Sequence, residues 1–184
     1  MNNKINNSTL KIAETGLFTA IIAILTQIAI PLPSGVPITL QTFAIALCGY
    51  VLGHKKGVLS VFIYILLGAV GVPVFANFNG GIGILFGVTG GFIWGFIILA
   101  YFCGLNIHFK GGKIEITLGL IGLIICHILG TAQFAVVSSN GLLKSFLIVS
   151  MPYLIKDILS IVAAYLVAVT VRKRLVKARL IELE

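Results

Sequence analysis

The sequence predicts an all-α membrane protein of six transmembrane helices, with both termini cytoplasmic and long ordered outer loops. Three observations carry that prediction. The chain is apolar: of 184 residues 59% are hydrophobic and 10% charged, with a mean hydropathy of +1.13, where an ordinary soluble domain has roughly 25% charged residues. Its apolar residues fall into about six runs, against the roughly 20 residues that a helix needs to cross a bilayer. Its charges are sorted: eleven of the thirteen Lys and Arg residues flank alternate loops and the ends.

The runs are Leu10–Ile30, Ile38–Leu52, Gly57–Gly71, Gly91–Leu105, Ile114–Val137 and Ser145–Val171, within a single domain spanning residues 1–184. Lys4 and Lys11 precede the first run, and Lys55 and Lys56 separate the second from the third. Lys110 and Lys113 separate the fourth from the fifth, and Arg172, Lys173, Arg174, Lys177 and Arg179 follow the sixth. The opposite loops, Pro31–Pro37 and Val72–Gly90, carry no charge. Basic residues stay on the cytoplasmic side, so both ends are expected there. A net charge of +8 is thereby assigned to topology rather than to nucleic-acid binding.

The first run is interrupted by Glu14 and lacks a small-residue cleavage pattern after it, which argues for a retained span over a secretory signal. Ala13, Gly16, Ala20 and Ala23 recur every three or four residues and share one helix face. By spacing alone, packing inside the bundle is favoured over docking of another subunit. The loop "PLPSGVP" has three prolines and is stiff. The second and third runs are short, and "VPVFANFNGGIGILFGVTG" follows them, with five glycines among buriable aromatic and aliphatic residues. Irregular backbone at membrane depth needs protein or an aqueous cavity to satisfy its polar groups, so this segment is expected to roof a cavity at the outer face. "GFIWG" at Gly91–Gly95 is a small-xxx-small pattern expected to pack internally.

Within the last run, "PYLIKDIL" places Lys156 beside Asp157. Each charge costs roughly 2.5–3.5 kcal/mol at the centre of a span, so the pair is expected to face a polar guest rather than lipid. Helical neighbours point about 100° apart, and the two are therefore expected not to neutralise each other in one compact contact. Tyr153 shares their patch. Gln41, Thr42, Asn77, Asn79 and Trp94 are candidate polar groups around a cavity under the outer loops. His127 is read first as a histidine satisfied by a neighbouring helix and second as a proton relay.

Enzyme signals are missing. "GIGILFG" lacks the spacing and strand context of a dinucleotide loop, and neither GxxxxGK[ST] nor G-x-S-x-G occurs. Cys48, Cys103 and Cys126 lie singly within apolar runs, without zinc-site spacing. No catalysis, metal or cofactor is expected.

Three stretches, "VPITLQT" at Val36–Thr42, the segment Gly57–Phe92 and "PYLIKDIL" at Pro152–Leu159, together resemble the biotin-specific substrate-binding components of energy-coupling factor vitamin transporters. The resemblance implies a six-helix protein that binds biotin near the outer surface, under its first and third loops. It implies as partners a transmembrane coupling subunit and two cytoplasmic ATP-hydrolysing subunits. It implies that Asp157 and Asn79 bind the ureido ring, that Gln41 lines the pocket or holds its lid, and that Ala13, Gly16, Ala20 and Ala23 form the dock for the coupling subunit. In the family's usual pattern a glycine precedes the aspartate and a lysine follows three residues later; here Lys156 and Ser160 hold those places. Lys156 is then the expected partner of the biotin carboxylate, with Tyr153, Trp94 and Phe75 as walls. The competing expectations are a proton-coupled carrier of a small polar metabolite, in which Asp157 and His127 titrate, and a non-transporting assembly protein.

Overall fold

The computed structural model describes residues 7–105 and 112–177; Lys4, Lys110 and Arg179, used in the topology argument, lie outside the described residues. Helix α1 (Asn7–Thr26) leads into a two-stranded hairpin of β1 (Ala29–Ile30) and β2 (Ile38–Thr39). The strands are antiparallel, Ala29 opposite Thr39 and Ile30 opposite Ile38. The predicted first and second spans overran into this hairpin. Its turn contains Pro31, Pro33 and Pro37, with Gly35 at φ 79°, and no helix continues through such a segment however apolar its flanks.

Helix α2 (Gln41–Ala69) is one element in which the second and third predicted spans meet, and it reverses direction at Gly53 (φ 79°, ψ 171°). The Gln41 amide donates to the Tyr64 hydroxyl at 2.8 Å, and the Cys48 thiol lies 3.8 Å from the Gly57 carbonyl. Residues nearly equally far from Gly53 on either side thus meet, and the two arms, 41–52 and 54–69, run antiparallel. Only glycine takes this φ without strain, and the end of α4 seats against the bend: a Cβ on Gly104 would stand 2.2 Å from the His54 nitrogen.

The glycine-rich segment then folds over one end of the molecule, as a short 3₁₀ turn (Ala76–Phe78) and α3 (Gly83–Phe86). Helices α4 (Gly90–Gly104) and α5 (Lys113–Val137) follow, and α4 lies between α2 and α5. The expectation for "GFIWG" holds: Cβ atoms on Gly91 and Gly95 would fall 2.3 Å from the Leu129 carbonyl and 2.7 Å from the Cys126 Cα, so both glycines face α5.

The sixth predicted span divides into α6 (Leu142–Val149) and α7 (Met151–Lys177). Ser150 leaves helical geometry (φ −121°, ψ −52°), and its carbonyl accepts the Tyr153 and Leu154 amides at 3.0 and 3.1 Å. Pro152, which has no N–H, occupies the first turn of α7, where none is needed. Lys156 and Asp157 consequently lie in the second turn of α7, nearer its start than the unbroken span implied.

Among the described residues four helices are long and apolar enough to cross a membrane, α1, α2, α5 and α7, and α4 is a shorter apolar helix. The core is built on Tyr50, Tyr64, Ile65, Leu99 and Ile161. Large apolar side chains also cover the outside, among them Ile24 at 67%, Val136 at 80% and Leu166 at 61% exposure. At roughly 25 cal/mol per Å² such a surface is costly in water and costless in hydrocarbon, so the outward faces are those of a membrane protein. The small residues of α1 join this surface. Ala13, Gly16 and Ala20 are exposed and Ala23 is half-buried, while Thr15, Phe18, Thr19 and Ile22 face inward. The expectation of packing inside the bundle is corrected: α1 is held through its larger inward residues, and the small-residue face is left open.

The two ends differ in chemistry. At one, Lys56 pairs with Glu14 at 2.6 Å, Arg172 reaches the Val51 carbonyl at 3.4 Å, and Tyr50 donates to the Glu115 carbonyl at 3.0 Å. At the other lie the uncharged hairpin turn and the glycine-rich lid.

Candidate ligand-binding site

A cavity of about 390 Å³ sits beneath the lid. Its walls come from the hairpin, the start of α2, the lid, the first half of α4, the middle of α5, the end of α6 and the start of α7. Most of the wall is apolar, with Phe75, Phe92, Ile93, Phe96 and Leu123 enclosing it, and the polar groups gather where α7 faces α5.

Of the residues selected from sequence, Asp157, Lys156, Asn79, Gln41, Tyr153 and Phe75 all line this cavity. Trp94 does not. It lies on the outward side of α4, 38% exposed, and its indole N–H donates to the Leu85 carbonyl at 3.3 Å. The α4 residues that do line the cavity are Phe92, Ile93 and Phe96, because Gly91 and Gly95 turn the adjacent face toward α5 and rotate Trp94 away.

Lys156 and Asp157 form an ion pair, and the expectation that they stay apart is corrected. A 100° separation at the backbone is bridged because the four-carbon lysine stem can fold back over a short aspartate. The Lys156 ammonium also donates to the Thr39 carbonyl at 2.9 Å, tying α7 to the hairpin. Asp157 is 5% exposed, and on its other oxygen it meets His127 Nε2 at 3.3 Å. The opposite ring nitrogen, Nδ1, is 2.9 Å from the Ser150 hydroxyl, which lies 2.7 Å from the Thr131 hydroxyl. His127 is thus satisfied by neighbouring helices, as first read, and it also borders the cavity. Ser160 does not line the cavity; its hydroxyl bonds back to the Lys156 carbonyl at 2.9 Å.

The roof is held by side chains that donate to backbone. Tyr153 donates to the Val36 carbonyl, fixing the hairpin turn over α7. Tyr64 accepts from Gln41 and donates to the Val74 carbonyl at 3.2 Å, while its ring meets Phe75 edge-on at 5.6 Å. Gln27, at the end of α1, donates to the Val74 and Phe75 carbonyls at 3.0 and 3.2 Å and accepts the Phe78 amide at 2.9 Å. Gln133, on α5, donates to the Leu85 and Gly87 carbonyls at 2.9 and 2.8 Å. Asn77 and Phe78 adopt left-handed φ values of 59° and 56° within this roof, and Asn79 is exposed, its amide donating to the Ala76 carbonyl at 2.9 Å.

The sequence reading did not select Gln27, Gln133, Thr39 or Thr89 for this site. Nothing local marks a lone glutamine or threonine in an apolar stretch of chain, and the contacts of these residues come from segments far apart in sequence. His127 carried a signal, as an ionisable residue inside a span, but not a destination.

Chemically, the cavity offers a carboxylate and an ammonium side by side, amide groups in its roof, and an apolar wall. This suits a neutral ring with adjacent donors and acceptors attached to an apolar chain.

Comparison with known proteins gives concordant findings. The family described as the BioY family matches residues 1–177. The "Biotin transporter BioY" of Thermotoga maritima is 40% identical over 166 residues, which cover 89% of this chain and 96% of that protein. The "Probable biotin transporter BioY" of Pyrococcus horikoshii is 37% identical over 158 residues, 86% of this chain and 93% of that one. The crystal structure of the S-component for biotin from an ECF-type ABC transporter is similar with a TM-score of 0.80 and 28% identity, covering 94% of this chain and 95% of that chain.

Proposed function

From the premise that the chain belongs to the BioY family, a family of membrane-transport components rather than enzymes, we propose that it captures biotin as the substrate-binding component of an ECF-type vitamin transporter. The observation that carries the proposal is the Lys156–Asp157 ion pair at the polar wall of an otherwise apolar cavity. Asp157 accepts an N–H of the ureido ring, and the adjoining Lys156 ammonium donates to the ring carbonyl. Neighbouring N–H and C=O groups of a urea thereby meet neighbouring acceptor and donor. Lys156 was expected to hold the tail carboxylate, but its pairing with Asp157 argues for the ring, because the two ends of biotin are separated by the whole valerate chain. Asn79 and Gln41 complete the polar contacts from the roof and the start of α2, and Phe75 and Tyr153 form walls.

Six spans follow if the two arms of α2 are counted separately with α1, α4, α5 and α7. The charged end is cytoplasmic by the positive-inside rule, so the cavity opens outward. The exposed small-residue face of α1, from Ala13 through Gly16 and Ala20 to Ala23, is the dock for a transmembrane coupling subunit, and two ATP-hydrolysing subunits supply the energy. A proton-coupled carrier is the second reading, favoured by the contact of His127 with Asp157.

Binding of labelled biotin to the purified full chain tests the first reading. Wild type is expected to bind, with Asp157→Asn and Asn79→Ala weakened by at least tenfold; a folded wild type that does not bind biotin sinks it. Uptake that collapses with the proton gradient while ATP is intact would favour the second.

A further inference from the structure

Asp157 is useful as an acceptor only if its carboxylate keeps one orientation, and Lys156 restrains just one of its two oxygens. The second oxygen faces His127, at the end of a chain of three side chains from α5 and the α6–α7 break: Thr131, Ser150 and His127. All four residues are buried, at 7% exposure or less.

Proton counting fixes the direction of this chain. A serine hydroxyl has one proton, so Ser150 donates to one neighbour and accepts from the other. If His127 is neutral with its proton on Nδ1, its Nε2 lone pair points at a carboxylate oxygen 3.3 Å away, and two acceptors oppose each other. That arrangement is relieved only by a proton on Asp157, and a neutral Asp157 gives up its ion pair with Lys156. With the proton on Nε2, every group is satisfied: Thr131 donates to Ser150, Ser150 to Nδ1, and Nε2–H to Asp157. An imidazolium leaves the last donation unchanged. Phe92 meets the imidazole edge-on at 5.7 Å and limits its rotation.

We propose that His127 is a positioning residue for ligand recognition, its Nε2–H holding the second oxygen of Asp157 and its own orientation set by the Thr131–Ser150 hydroxyl pair. The role rests on the biotin reading, and it adds a determinant 30 residues away in sequence from the aspartate it serves. Its signature is atomic. A glutamine amide nitrogen can replace Nε2, whereas an asparagine amide nitrogen replaces Nδ1. His127→Gln therefore keeps the donor to Asp157, and His127→Asn keeps only the group facing Ser150.

The test compares biotin affinity of wild type, His127→Gln, His127→Asn and His127→Ala, all full-length and in detergent. His127→Gln is expected within about threefold of wild type, and the other two weakened by about tenfold or more, the scale of losing a hydrogen bond to a charged group. A second readout needs no ligand: with ¹⁵N-imidazole labelling, the resonances of His127 are assigned by their loss in His127→Gln. Asp157→Asn is expected to shift its Nε2 signal and Ser150→Ala its Nδ1 signal. Equal affinities across the series, His127→Asn binding better than His127→Gln, or an Nε2 signal unmoved by Asp157→Asn overturns the proposal. If wild type fails to bind biotin, the functional reading falls, and the labelled imidazole alone decides whether His127 positions Asp157. If the His127 variants fail to fold, the imidazole signals are assigned instead in the His54→Gln/His108→Gln double variant, which leaves His127 as the one histidine of the sequence, and the same readout decides.

Discussion

Gln27→Ala is expected to accelerate escape of biotin about 5- to 30-fold without touching the cavity wall. Gln27 does not line the cavity, yet it makes three hydrogen bonds to the first part of the roof, at Val74, Phe75 and Phe78. At about 0.5–1.5 kcal/mol for each bond, the gross contribution is about 1.5–4.5 kcal/mol. Two deductions follow from the structure. The Val74 carbonyl keeps its bond from Tyr64 at 3.2 Å, and the Phe78 amide is exposed, where water replaces the lost acceptor. The Phe75 carbonyl bears the unrelieved part, leaving about 1–2 kcal/mol, which converts to the stated factor in the rate of lid opening. Gln27→Glu is expected to be worse than Gln27→Ala, because a carboxylate oxygen then faces two carbonyl oxygens in place of a donor. The assay is chase of bound labelled biotin by excess unlabelled biotin. The sole tryptophan, Trp94, bonded to Leu85 at the far end of the roof, reports fluorescence changes there. Dissociation at the wild-type rate in both variants, or a slower rate for Gln27→Glu than for Gln27→Ala, would refute the reasoning that the roof is held from α1.

Other perturbations follow from the same geometry. Tyr153→Phe removes the donor to the Val36 carbonyl while keeping the ring, and is expected to weaken biotin binding by about 3- to 10-fold, measured by titration calorimetry. Gly53→Ala places a Cβ at φ 79° in the bend of α2, and is expected to lower stability by about 1–3 kcal/mol, read as a fall in melting temperature in detergent. Ala20→Trp enlarges the open face of α1 and is expected to leave biotin affinity of the isolated protein within about twofold, while blocking co-purification with the coupling subunit. Loss of biotin affinity in Ala20→Trp would show that this face supports the cavity instead.

The membrane class and the helical runs were legible in the sequence because hydropathy and charge sorting act locally along a chain. Lipid selects for apolar runs wherever helices cross, and basic residues mark their ends. The glycine-rich roof was legible for the same reason, since no water-exposed loop is so apolar. Asp157 and Lys156 could be selected because an ionised group inside an apolar run needs a justification that lipid cannot supply. Boundaries were less visible. Ile28–Ile30 and Ile38–Leu40 are as apolar as a span, but prolines and Gly35 turn the chain there into a hairpin, and hydropathy does not register that difference.

What the tertiary structure alone decided is the direction in which each side chain looks and what it meets. The face of α1 bearing Ala13, Gly16 and Ala20 turns outward because Phe18 and Ile22 fill the space toward α2, a competition that periodicity cannot judge. Trp94 is turned from the cavity by the close approach of α4 to α5, and His127 is brought to Asp157 by the packing of α5 against α7. A linear chain states which groups need partners. Which partners they obtain depends on distances of a few ångströms between segments remote in sequence, set only when the whole bundle has packed.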